Sequence, residues 1–203
     1  LGLDRISGPV GENALTDDLV ARLEDPSQRV RIQALLGLGR IGDPAATGAI
    51  VKLLAKKEHL VSMVYLRHAG VIALAGAATI DDIVALRSHP SGFVRTCAVV
   101  ALRKRGHEAV AAFLADADPM IAADAARAIH DDWMIPLAFL DLASALPLHQ
   151  EHEAFARRAI NANFRIGDAE AAERVATFVA EGSAPEAVLE AALEALRNWT
   201  EPP

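Results

Sequence analysis

Residues 30–43 read Val30-Arg31-Ile32-Gln33-Ala34-Leu35-Leu36-Gly37-Leu38-Gly39-Arg40-Ile41-Gly42-Asp43, and the spacing inside this run decides the fold. Val30, Ala34 and Leu38 stand four apart, which places them on one face of a helix. The small residue in the middle lets a neighbouring helix approach closely. The triplet returns as Leu66, Gly70, Leu74 and as Val94, Ala98, Leu102, with Arg31, Arg67 and Arg95 after the first slot. Weaker copies are Ile121, Ala125, Ile129 and Val188, Ala192, Leu196, while Phe155 and Ala159 are followed by Asn163 in the last slot. The first slots lie at 30, 66, 94, 121, 155 and 188, a repeat of 27 to 36 residues.

A second helical pattern precedes each copy: Leu15, Leu19, Leu23; Ile50, Leu53, Leu54; Ile80, Ile83, Val84, Leu86; Val110, Phe113, Leu114; Ile135, Leu137, Leu140, Leu142; and Val175, Phe178, Val179. The unit is therefore helix–turn–helix, and about twelve helices in six antiparallel pairs are expected, with no sheet. Turn chemistry agrees. Asp25-Pro26, Asp43-Pro44, His89-Pro90-Ser91 and Asp118-Pro119 fall at helix junctions, where an N-cap and a first-turn proline belong. Gly42, Gly106 and Gly167 follow second helices, where a left-handed cap wants glycine. The expected organisation is a lead-in at residues 1–13, one helical array at 14–199 and a tail at 200–203.

Composition narrows the function classes. Of the 203 residues 52% are apolar but only 4% aromatic, and about a fifth are Ala, so the core is built from small aliphatic side chains. Charged residues at 23% exclude wholesale disorder. The single cysteine, Cys97, excludes a disulfide framework. A net charge of −7 argues against a dedicated nucleic-acid binder. The longest apolar stretches, Ala69–Ile80 and Trp133–Leu140, stop at Asp81 and Asp141, short of the roughly 18 residues of a membrane helix. Charge is uneven: residues 1–106 carry +4 and residues 107–203 carry −11. The chain opens on Leu1-Gly2-Leu3-Asp4, without Met or a signal peptide, and reads as a piece of something larger.

The segments 30–43 and 94–106 resemble HEAT repeats, and the resemblance covers residues 14–199. It implies an all-α fold, an α-solenoid of about six HEAT-like helical hairpins, in which each unit buries its face against the next. A narrower resemblance rests on Ala115–Asp131, Arg157–Asp168, Ala184-Pro185-Glu186-Ala187 and Asn198–Pro203. These look like the HEAT segment of large bacterial membrane-bound dehydrogenase-like proteins, in which a sorbosone-dehydrogenase-like propeller and a c-type cytochrome flank it. That likeness implies a periplasmic or extracytoplasmic location. No Cys-x-x-Cys-His occurs, so none of that family's haem-binding residues carries over, and none of its catalytic residues does.

Motifs that imitate chemistry have plainer readings. Gly37-Leu38-Gly39-Arg40-Ile41-Gly42 spells G-x-G-x-x-G, but it closes a helix, where carbonyls and partial negative charge repel phosphate. His149 and His152 are spaced i, i+3 beside Glu151 and Glu153, with no third metal ligand identifiable. His130-Asp131-Asp132-Trp133 ends a second helix, where an imidazole interacts with free carbonyls. Cys97 reads as a small hydrophobe. No catalytic residue, cofactor or metal is therefore expected.

In HEAT repeats an Arg in this slot ties its helix to an acid or carbonyl in the preceding turn, and the resemblance implies that role for Arg31, with Asp25 as its partner, for Arg67 and for Arg95, before which His89 stands in the place of the acid. In HEAT arrays the second helices line a binding surface. The candidate partner-binding residues on it are Tyr65, Phe93, Arg127, Arg158 and Arg165, because aromatics and Arg dominate hot spots. Leu189 and Leu193 belong to a C-terminal stripe wider than one neighbour covers. The function expected is a non-catalytic scaffold or protein-interaction domain, meeting a protein partner or neighbouring domains of a longer chain. Neither nucleic acid nor direct membrane insertion is expected. The alternatives are a HEAT-like enzyme, bilin lyase-like or DNA-glycosylase-like, and an inert spacer.

Overall fold

The computed structural model describes residues 12–56, 64–131 and 135–199. Most of the lead-in, the tail and Trp133 lie outside the described residues. Every regular element described is helical, and no strand occurs among the described residues. The α-helices are α1 (Glu12–Arg22), α2 (Gln28–Ile41), α3 (Thr47–Leu54), α4 (Val64–Ala77), α5 (Ile80–Ala85), α6 (Gly92–Arg105), α7 (Pro119–His130), α8 (Phe139–Ser144), α9 (Glu153–Ile166), α10 (Ala169–Glu181) and α11 (Glu186–Arg197). Short 3-10 turns lead into α3 and α8 and follow α5. The chain divides into two compact units, Leu1–Arg105 and Gly106–Pro203.

In the first unit α1 packs on α2, α3 on α4 and α5 on α6, and α4 lies between α2 and α6. In the second unit α9 packs against α7, α8, α10 and α11. The partner of α7 is a 3-10 helix, Glu108–Phe113, where the sequence pattern suggests an α-helix. It runs between the left-handed Gly106 and the Asp118-Pro119 cap.

The triplets set the core. Ala34, Leu38, Leu66, Leu74, Val94, Ala98, Leu102, Ile121, Ala125, Ile129, Phe155, Ala159, Val188 and Ala192 are all buried. Gly70 is buried as well, and only Val30 and Leu196, the outermost slots, are partly exposed. Two of the preceding stripes differ from expectation. Leu15 points outward while Leu23 is buried. In the stripe from 135 to 142, Ile135, Ala138 and Leu142 face inward and Leu137 and Leu140 face water, because the 3-10 turn Pro136–Ala138 alters the period.

Termini obey local chemistry. Asp43 Oδ1 accepts from Ala45 N at 2.9 Å and Asp118 Oδ1 from Met120 N at 2.9 Å. Thr79 and Asp82 form a reciprocal capping box at α5. Gly42 and Gly167 take φ of 75° and 71° and donate their N–H groups to Leu38 O and Asn163 O. At two turns an imidazole replaces the usual carboxylate: His89 Nδ1 accepts from Ser91 N and His107 Nδ1 from Ala109 N, each at 3.1 Å.

Candidate partner-binding surfaces

The string Gly37-Leu38-Gly39-Arg40-Ile41-Gly42 is spent on packing and on a cap. A Cβ on Gly37 would meet Leu19 at 2.9 Å, and one on Gly39 would meet Ile72 O at 2.9 Å. A Cβ on Gly76 would sit 2.0 Å from Gly39 O. The backbones of α2 and α4 therefore touch with no side chain between them. The amides of this string lie inside or at the end of a helix, where none is left to cradle a phosphate.

Around that crossing the second helices of the first unit build a surface. Tyr65, near the start of α4, is 76% exposed, while Phe93 of α6 is half-buried. Arg95 Nη1 donates to His89 O at 3.0 Å and Arg105 Nε to Ala75 O at 2.7 Å. The expected Asp25–Arg31 pair is replaced. Asp25 Oδ1 accepts from Ser27 N at 2.8 Å, and Nε of Arg31 is buried without a hydrogen-bond partner. Under this surface Cys97 is buried beside Val94 and Ala98, and desolvation pushes its thiol up to about 12. Such a thiol is unreactive in the native state.

In the second unit the candidate residues go different ways. Arg127 is exposed. Arg158 forks onto Asp131, with Nε on Oδ1 at 2.9 Å and Nη2 on Oδ2 at 2.7 Å, and its Nη1 donates to Ala154 O. This hydrogen bonding holds the Asp131 carboxyl down at about 2. His130 joins the cluster, its ring nitrogens contacting Asp131 Oδ1 at 2.9 Å and Asn161 Oδ1 at 2.8 Å. Arg158 therefore ties α9 to the end of α7. Arg165 is half-buried on α9. On α11 Leu189 is half-buried and Leu193 is 51% exposed.

The two histidines before α9 do not share a helix face. His149, at φ of 47°, sets its ring against the edge of Phe155, with centroids 5.3 Å apart. His152 stands at the N-cap position of α9 without a side-chain capping bond, and its Nε2 lies 3.3 Å from Met120 Sδ.

Sequence reasoning missed the centre of the second unit's polar network. Asn163 is 0% exposed and saturated. Its Nδ2 donates to Ala143 O at 2.8 Å and Ala159 O at 2.9 Å, and its Oδ1 accepts from Arg174 Nε at 2.8 Å. Arg174 also pairs with Glu170 at 2.8 Å. Beside them lies an open cleft of about 250 Å³ between the end of α8 and α10, rimmed by Glu170, Glu173 and Glu181 with Phe178 and Leu146 at its base. The signal was present in the sequence as the single polar residue in a core slot.

No protein-family model matches the chain, and no curated protein matches it. Among solved structures it is similar to the crystal structure of an engineered protein, at 17% identity over 91% of this chain and 98% of that one. The TM-score of 0.44 makes that likeness too remote to carry an argument.

Proposed function

We propose that this chain is a non-catalytic HEAT-type α-solenoid domain that binds or positions another protein or a neighbouring domain. The observation that carries this reading is the side-by-side packing of α2, α4 and α6, each backed by its own short helix, with Tyr65 standing out from the row. Stacked hairpins present their second helices as one continuous surface, which suits a broad partner better than a small substrate. The cleft beside α10 is open and rimmed by carboxylates, which suits neither a nucleic-acid backbone nor a buried pigment. If the chain belongs to a dehydrogenase-like parent, its work is to space a propeller from a cytochrome outside the cytoplasm.

The test is photo-crosslinking in cells of the source organism. A photoreactive phenylalanine analogue replaces Tyr65 in one variant and Lys52, exposed on α3, in another. A defined protein adduct at Tyr65 and none at Lys52 is the expected result. No adduct at Tyr65, or equal adducts at both positions, removes the reading.

A further inference from the structure

The second helices of the first unit are segregated by charge. α2, α4 and α6 carry eight Lys or Arg and no Asp or Glu, although Asp and Glu make up 27 of the chain's 203 residues. The described acidic residues of this unit all lie on α1, on α5 or in turns. A solvated helix ordinarily intersperses the two signs, since i,i+4 pairs stabilise it and like charges repel. The second unit does this with Glu153–Arg157 and Glu170–Arg174. The helices α2, α4 and α6 do not.

Arg29 and Arg40 lie eleven residues apart on α2, as do Phe93 and Lys104 on α6, and Tyr65 and His68 lie three apart on α4. Each pair therefore shares a helix face. Arg29, Tyr65 and Phe93 each stand one residue before the first core slot of their helix, so the three faces lie at the same angle from the core, on helices of which α4 packs against both α2 and α6. Arg29, Arg40 and Lys104 are exposed, and none of them makes an ion pair among the described residues. Arg29, Arg40 and Lys104, set among Tyr65 and Phe93, carry positive charge that no described carboxylate answers.

We propose that the acid-free face of α2, α4 and α6 docks an acidic segment of a partner protein. The inference rests on the scaffold reading and names the chemistry of its partner. Charge complementarity chooses the occupant. Carboxylates meet Arg29, Arg40 and Lys104, while Tyr65 and Phe93 supply apolar anchors of the kind that dominate protein interfaces. A nucleic acid fits less well, because a chain of net charge −7 repels a long polyanion more than a short acidic segment. Helices packed about 10 Å apart make this face about 20 Å wide, which about six extended residues cross.

The experiment pans a random-peptide display library on the full chain and on a variant carrying Arg29→Gln, Arg40→Gln and Lys104→Gln. A control variant carries Lys52→Gln and Arg87→Gln, both exposed outside the face. Peptides selected on the wild type should be enriched in Asp and Glu. They should bind the triple variant about tenfold more weakly, bind the control unchanged, and weaken as salt rises. Circular dichroism checks that each variant keeps its helices. Selected peptides without acidic enrichment overturn the proposal. So does unchanged binding to the triple variant, tighter binding of a single-stranded DNA fragment, or salt-sensitive self-association of the chain abolished by the triple variant. A Tyr65 adduct in cells together with a failed selection removes only the acidic partner. No Tyr65 adduct removes the scaffold reading beneath it.

Discussion

The two units solve the same packing problem with opposite materials. Residues 12–105 bring α2 and α4 together through glycine, so that Gly76 meets the backbone of Gly39 directly. In residues 106–199 the second helices α7, α9 and α11 contain no glycine, and the centre of that unit is polar, with Asn163 joining α9, α8 and Arg174 of α10. A backbone contact has no rotamers and tolerates no added atom. A polar network tolerates changes of shape but not the loss of a partner. The difference predicts which substitutions each unit refuses.

The largest expected effect is Gly76→Ala. In a free helix this change gains about 1 kcal/mol of propensity. Here the new methyl meets carbonyl backbone at 2.0 Å, and overpacking of that kind costs about 3 kcal/mol or more. A net loss of about 2–3 kcal/mol is expected by chemical denaturation, together with faster alkylation of Cys97 as the first unit loosens. Wild-type stability and a still-protected thiol would show that the crossing is not load-carrying backbone contact.

Next comes Asn163→Leu. The apolar side chain suits the slot by volume but strands Ala143 O and Arg174 Nε, at about 2 kcal/mol. If the melt instead rises, the network costs more than it returns.

Arg158→Met should cost about 1 kcal/mol at neutral pH, a figure kept small because the pair is partly exposed. The carboxyl of Asp131 sits at about 2, below its ordinary 3.8, so the pair's contribution is full above about pH 4 and fades as pH falls toward 2. The wild type and variant should therefore differ in stability at pH 6 by about 1 kcal/mol and converge near pH 2. A difference that persists to pH 2 would mean the arginine acts through packing.

The smallest effect sharpens the comparison from the other side. A Cβ on Gly48 meets nothing within 4 Å. Gly48→Ala in α3 should therefore stabilise the chain by about 0.5–1 kcal/mol, measured by the same denaturation. A loss at both Gly48 and Gly76 would mean that glycine serves flexibility rather than approach.

Much of the fold was legible because its causes are local. The i, i+4, i+8 triplets named residues that are buried, and Gly42, Gly106 and Gly167 all adopt positive φ. The misreadings have non-local or conformational causes. Leu137 and Leu140 face water because a 3-10 turn shifts the period by less than a residue count reveals. Asn163 looks like a broken slot until Ala143, twenty residues earlier, and Arg174 supply its partners. Arg158 reads as a free hot-spot residue because nothing in the spacing announces Asp131, 27 residues before it. The acid-free face was readable from the start, but summing charge over halves of the chain hid a segregation that runs helix by helix.

The Gly39–Gly76 contact also has a mechanical meaning. Side chains between two helices act as springs, because each can change rotamer as the helices slide. Where two backbones abut, that compliance is gone, and α2 and α4 move as one stiff plate or separate altogether. A docked segment lying across α2, α4 and α6 would then rest on a platform whose first two beams are riveted together, with any give confined to the α4–α6 seam.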